Sequence, residues 1–104
     1  MIYEIRSKNI QIGLTRFEFG DPPMGFVHGE FTPSEGYSSK VKYEGLVVIC
    51  TDTNEIINCI SVIIEDYLEE AGEQEIQVTA QLDSSEEYDK YFRHHRKTYE
   101  NSFK

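Results

Sequence analysis

Glu75-Ile76-Gln77-Val78-Thr79-Ala80-Gln81-Leu82-Asp83-Ser84-Ser85-Glu86-Glu87-Tyr88 decides the fold class of this chain. Its first eight residues alternate strictly. Ile76, Val78, Ala80 and Leu82 fall on one side, the pattern of a strand with one face on a core. Ser84 followed three residues later by Glu87 has the spacing of a capping box, which starts a helix. The helix predicted from there runs over about 85–101 and carries Tyr88, Tyr91, Phe92, His95 and Tyr99 on one stripe. Such a stripe is core packing before it is a ligand box. A strand handed to an amphipathic helix in this way reads as α+β.

Working back from Gly72, residues 52–72 support two readings. Asp52 with Glu55 resembles another capping box, and Ile56, Ile60, Ile63, Tyr67 and Ala71 recur at helical spacing before the Gly72 stop. Against this, Ile56-Ile57 and Val62-Ile63-Ile64 are β-branched runs that suit a strand. Asp52-Thr53-Asn54-Glu55 also makes a good hairpin loop between 46–51 and 56–64. Periodicity leaves both open.

The first half is strand-like. Ile2, Glu4 and Arg6 interleave with Tyr3 and Ile5. Ile10, Ile12, Leu14, Phe17 and Phe19 continue in a β-branched and aromatic stretch. Asp21-Pro22-Pro23 breaks it. A further strand is predicted from Gly25 to Phe31, a turn at 32–36, and a buried strand at Leu46-Val47-Val48-Ile49-Cys50. The whole predicts one domain, 1–104: an antiparallel β-sheet of about six strands closed by a C-terminal α-helix.

Composition narrows the function. At 104 residues there is room for one core and little for a deep cofactor cavity. With 38% hydrophobic residues and many aromatics the chain is not of the disordered class. Ten Lys and Arg face nineteen Asp and Glu, a net charge of −9, which repels nucleic acid and anionic membranes and attracts a basic protein. Cys50 and Cys59 lie in apolar surroundings and read as reduced, packed thiols. The N-terminus has no signal-peptide pattern and no apolar run approaches a membrane span, so the expected compartment is the cytoplasm.

Catalytic signatures are sparse. There is no Gly-rich phosphate loop, Cys-x-x-Cys or nucleophile elbow. His94 and His95 are adjacent on the helix and lack the spacing of a metal-binding pair. His28 and Glu30 share one strand face and form the single acid–base or metal candidate. The acids are more telling. Glu65, Asp66, Glu69, Glu70, Glu73 and Glu75 stand together without a basic residue, and Asp83, Glu86, Glu87 and Asp89 follow. The basic residues concentrate elsewhere, at Lys40, Lys42, Arg93, Arg96 and Lys97.

Gly20-Asp21-Pro22-Pro23-Met24-Gly25-Phe26-Val27-His28-Gly29-Glu30-Phe31-Thr32-Pro33 precedes Tyr37. Val62-Ile63-Ile64-Glu65-Asp66-Tyr67, a Glu-Ile-Gln-Val strand, and Tyr91-Phe92-Arg93-His94-His95 with Tyr99 follow in order. Over most of the chain this order resembles small bacterial immunity proteins of contact-dependent growth inhibition and related polymorphic toxin systems. The resemblance favours a strand over 56–64. It implies a non-enzymatic protein without cofactor that binds a cognate toxin, a basic RNase or DNase domain, and occludes its active site. The acidic run Glu65, Asp66, Glu69, Glu70, Glu73 and Glu75 is the expected contact region. Two alternatives stand beside it: a small enzyme using His28 and Glu30, and a homo-oligomeric structural subunit built by strand pairing.

Overall fold

The computed structural model describes residues 2–37, 45–66 and 76–102. Among these residues eight strands, a short 3₁₀ turn and one α-helix follow in the order β1 (Tyr3–Ser7), β2 (Ile10–Thr15), β3 (Phe19–Asp21), the 3₁₀ turn (Pro22–Met24), β4 (Phe26–Pro33), β5 (Leu46–Cys50), β6 (Glu55–Ile57), β7 (Cys59–Asp66), β8 (Ile76–Leu82) and α1 (Ser85–Asn101). All strand pairs are antiparallel, in the order β6-β5-β1-β2-β4-β8-β7, with β3 also on β4. The fold is α+β, a nearly closed, barrel-like sheet with one C-terminal helix.

The strand reading of 55–66 prevails. Thr51–Asn54 forms the hairpin turn, with Asn54 in the left-handed region (φ 59°) and its amide donating to Cys50 O at 2.7 Å. Asn is among the few side chains that adopt this conformation readily. Residues 67–72, the second half of the helical alternative, lie outside the described residues.

Eight strands replace about six because two expected strands are each broken. The first break is at Arg16–Glu18, between β2 and β3. The second is at Asn58, between β6 and β7. Because β6 pairs with β5 while β7 pairs with β8, the second break brings the two ends of the sheet together. A register shift at Ile60 lets β7 leave on a new course.

The alternation of β8 emerges as read. Ile76, Val78, Ala80 and Leu82 are all buried, facing Val27 of β4 and Ile64 of β7. Helix α1 contributes Tyr88, Tyr91, Phe92 and His95 to the same interior, whereas Tyr99, on the predicted stripe, stays 38% exposed near the helix end. Tyr3, Phe17 and Phe92 meet there with ring centroids 5.0–5.7 Å apart, and the Tyr3 hydroxyl donates to Tyr91 O. Aromatic contacts of this kind add to the apolar burial that holds the helix on the sheet. Ser84 Oγ caps the helix by accepting from Glu87 N at 3.1 Å. The Glu87 carboxylate reaches across to accept from Asn58 N at 2.8 Å. Cys50 and Cys59 are not joined in a disulfide.

Candidate functional site

The break at Arg16–Glu18 builds the most distinctive surface of the molecule. Strand β4 has β2 against Phe31–Pro33 and β3 against Phe26–His28 along one edge. Between these two partners the chain crosses Gly29 very closely. A Cβ on Gly29 would meet Phe17 Cα at 2.9 Å and Glu18 N at 3.0 Å, so only glycine permits the crossing. Phe17 turns inward with φ 44° and is completely buried. Its amide donates to Thr15 Oγ1, and its carbonyl accepts from His95 Nε2 at 2.6 Å. A bulky residue in the left-handed region is strained, and here the helix and the core together hold it.

With Phe17 inside, its neighbours are turned outward. Glu18 Oε2 accepts from Glu30 N at 3.1 Å, replacing the ladder bond that the crossing removes from β4. Phe19, 59% exposed, stacks on His28 with ring centroids 5.1 Å apart and 22° between planes. A cleft of about 470 Å³ opens beside Glu18 and Glu30, walled by Leu14, Thr32 and Arg16.

The register extends this surface over four strands. Phe19 is opposite His28, His28 opposite Thr79, and Thr79 opposite Ile63, which is 53% exposed. On one side of this row Glu30, Gln77 and Glu65 form a second row. On the other, Asp21, Phe26, Gln81 and Ser61 form a third. Residues directly opposed in an antiparallel pair share a face, with neighbouring strands about 4.8 Å apart. Glu30 and Glu65 are therefore separated by about 10 Å across β8. The three rows contain no lysine or arginine.

This brings together residues that the sequence kept apart. His28 and Glu30 share the outer face, as their spacing required, and Glu65 joins them across β8. Asp66 ends β7 opposite Ile76. Glu69, Glu70, Glu73 and Glu75 lie outside the described residues. Of the second acidic group, Glu87 holds Asn58 and Asp89 pairs with Arg96, so these two serve the fold.

Phe19, Ile63 and Glu18 belong to the site and escaped sequence reading. Phe19 and Ile63 look like ordinary members of apolar runs, and the strand break before Phe19 and the register shift at Ile60 leave no mark in the alternation. His28 has an aromatic neighbour, Phe19, and among the described residues no three His, Cys, Asp or Glu side chains form a metal-binding group. The His94 and His95 rings lie 4.2 Å apart, and burial together with His95 holds His94 below the usual histidine range. The Cys59 thiol is pushed up to about 12 by burial, with Glu87 and Asp83 adding to the effect. Among the described residues no helix is long and apolar enough to cross a membrane.

No family model, curated protein or solved structure matches this chain.

Proposed function

We propose that this protein is an immunity protein that binds a cognate basic nuclease toxin and blocks its active site. The observation that carries this reading is the carboxylate row of Glu30 and Glu65, with Glu18 beside it, in strand rows that contain no lysine or arginine and in a chain of net charge −9. A nuclease must present cationic side chains to a polyanionic substrate. An inhibitor that places carboxylates on those side chains competes for the same charges, associates quickly and needs no catalytic group. The resemblance over most of the chain points the same way, and the cytoplasm is where such an inhibitor must act.

The test is recovery of the tagged protein from its native host. The expected result is a basic nuclease domain at near-equal stoichiometry, silent in the complex and active once separated. Recovery of the protein alone, from cells that contain such a nuclease, defeats the reading.

A further inference from the structure

We propose that the outer face of β3, β4, β8 and β7 docks a basic protein surface, with the Phe19–His28–Thr79–Ile63 row as its apolar centre and Asp21, Glu30 and Glu65 as its charged rim. The inference rests on the function proposed above only in taking the partner to be a basic protein. It moves the centre of recognition from the acidic run to an aromatic row that no acidic count reveals.

Two large apolar side chains, Phe19 and Ile63, stand more than half exposed at opposite ends of one four-strand row. Protein interfaces have this anatomy, an apolar centre within a polar rim, and a few central side chains carry most of the binding energy. Phe19 is held by its neighbours. Its ring rests on His28, its backbone follows the buried Phe17, and Glu18 is fixed on the Glu30 amide. Little side-chain freedom remains to be lost on binding. The second face of the Phe19 ring suits a guanidinium, which stacks on aromatic rings while its N–H groups reach a carboxylate.

Charge selects the occupant. The rim carboxylates and the absence of any lysine or arginine from the three rows repel nucleic acid. They equally disfavour a second copy, because two chains of net charge −9 repel and the copy's face offers no lysine or arginine in these rows to meet the carboxylates. A basic surface with an exposed apolar centre meets both requirements.

Two peptides of equal charge test the face without the natural partner: acetyl-Arg-Trp-Arg-Leu-Arg-Trp-amide and acetyl-Arg-Ser-Arg-Ser-Arg-Ser-amide, titrated into the labelled protein by NMR at low salt. The aromatic peptide is expected to shift the amides of Phe19, His28, Ile63, Gln77 and Thr79 saturably. Its affinity should exceed that of the serine peptide by about tenfold. The variant Phe19→Ser with Ile63→Ser should remove that gap, and Ile63→Ser alone should reduce it. Equal affinities, shifts centred on another surface, or no saturable shift overturn the proposal. Concentration-dependent shifts of the same amides without peptide would assign the face to a second copy and overturn it too. A native-host recovery that yields no nuclease defeats the immunity reading and leaves this result standing.

Discussion

Glu87 Oε2 accepts the amide proton of Asn58 at 2.8 Å, tying the first turn of the helix to the residue at which the sheet changes neighbours. The Asn58 carbonyl in turn accepts from Asp83 N at 3.0 Å, so the segment leading into the helix holds both sides of the break. A hydrogen bond to a charged group is worth more than a neutral one. Glu87→Ala is expected to cost about 1–2 kcal/mol in urea unfolding, and Glu87→Gln, which keeps an acceptor oxygen, to restore most of it. Equal stabilities of wild type and Glu87→Ala would show that β6 and β7 hold their break without the helix.

Gly29 is predicted to be intolerant of even one methyl group. The atoms that a Cβ would meet belong to the backbone of Phe17 and Glu18, which cannot swing aside as a side-chain tip can. Gly29→Ala should destabilise by about 1–3 kcal/mol. It should also disturb the NMR signals of Phe19 and Glu30 more than those of β5 and β6. A stable variant with an unchanged spectrum would contradict the crossing.

Stability should decline as pH rises above about 10. Burial raises the Tyr88 hydroxyl from 10.0 to about 12, against the opposing pull of Arg96, and burial also raises Tyr3. Between the unfolded and folded values the unfolded chain has released a proton that the native state retains, so stability falls as pH rises. Below that window the contribution is fully present. Tyr88→Phe loses the bond to Phe26 O, at about 1 kcal/mol near neutrality, and should flatten the decline. Urea midpoints measured from pH 7 to 11 would show whether the two curves converge.

Both thiols should resist alkylation in the native protein. Cys50 is 1% exposed, and the Cys59 thiol ionises only near 12. At pH 8 its thiolate fraction is about one in ten thousand, whereas an unhindered thiol is substantially ionised. A thiol reagent should therefore label both residues after denaturation and neither before. Rapid labelling of Cys59 in the native state would place it in a more open setting.

On the proposed face, Glu30→Lys combined with Glu65→Lys should slow association with a basic partner by about tenfold at low salt, with the difference shrinking as salt rises. An unchanged association rate would remove these carboxylates from the encounter surface.

How much of this was legible in the sequence follows from where the determinants are local. The β8 alternation and the Ser84 cap involve neighbours in sequence, so the strand, the helix and the α+β class could be read directly. The tie between strand and helix at 52–72 was a tie in local preference, and pairing of Glu55–Ile57 with β5 and of Cys59–Asp66 with β8 resolves it over 55–66. The two broken strands depend on Gly29 accepting a distant backbone and on Glu87 finding Asn58. Neither partner is implied by the residues around it. The acidity of the surface was visible at once. The alignment of Glu65 with Glu30 was not, because it depends on the registers of both flanking strands against β8.

The position of β4 has a consequence for how the chain acquires its structure. One edge of β4 pairs with residues from the first quarter of the sequence, and the other with β8, whose closest pairing in sequence joins Glu30 to Gln77. Contacts this distant in sequence form slowly, because the intervening chain must be ordered before they contribute. A nascent chain emerging from the ribosome can assemble the β1–β2 hairpin early. It cannot complete β4 until residues 76–82 are free, nor seal the interior until α1 follows. Synthesis of nearly the whole chain therefore precedes assembly of the Phe19–Ile63 row, whose two ends come from opposite halves of the sequence.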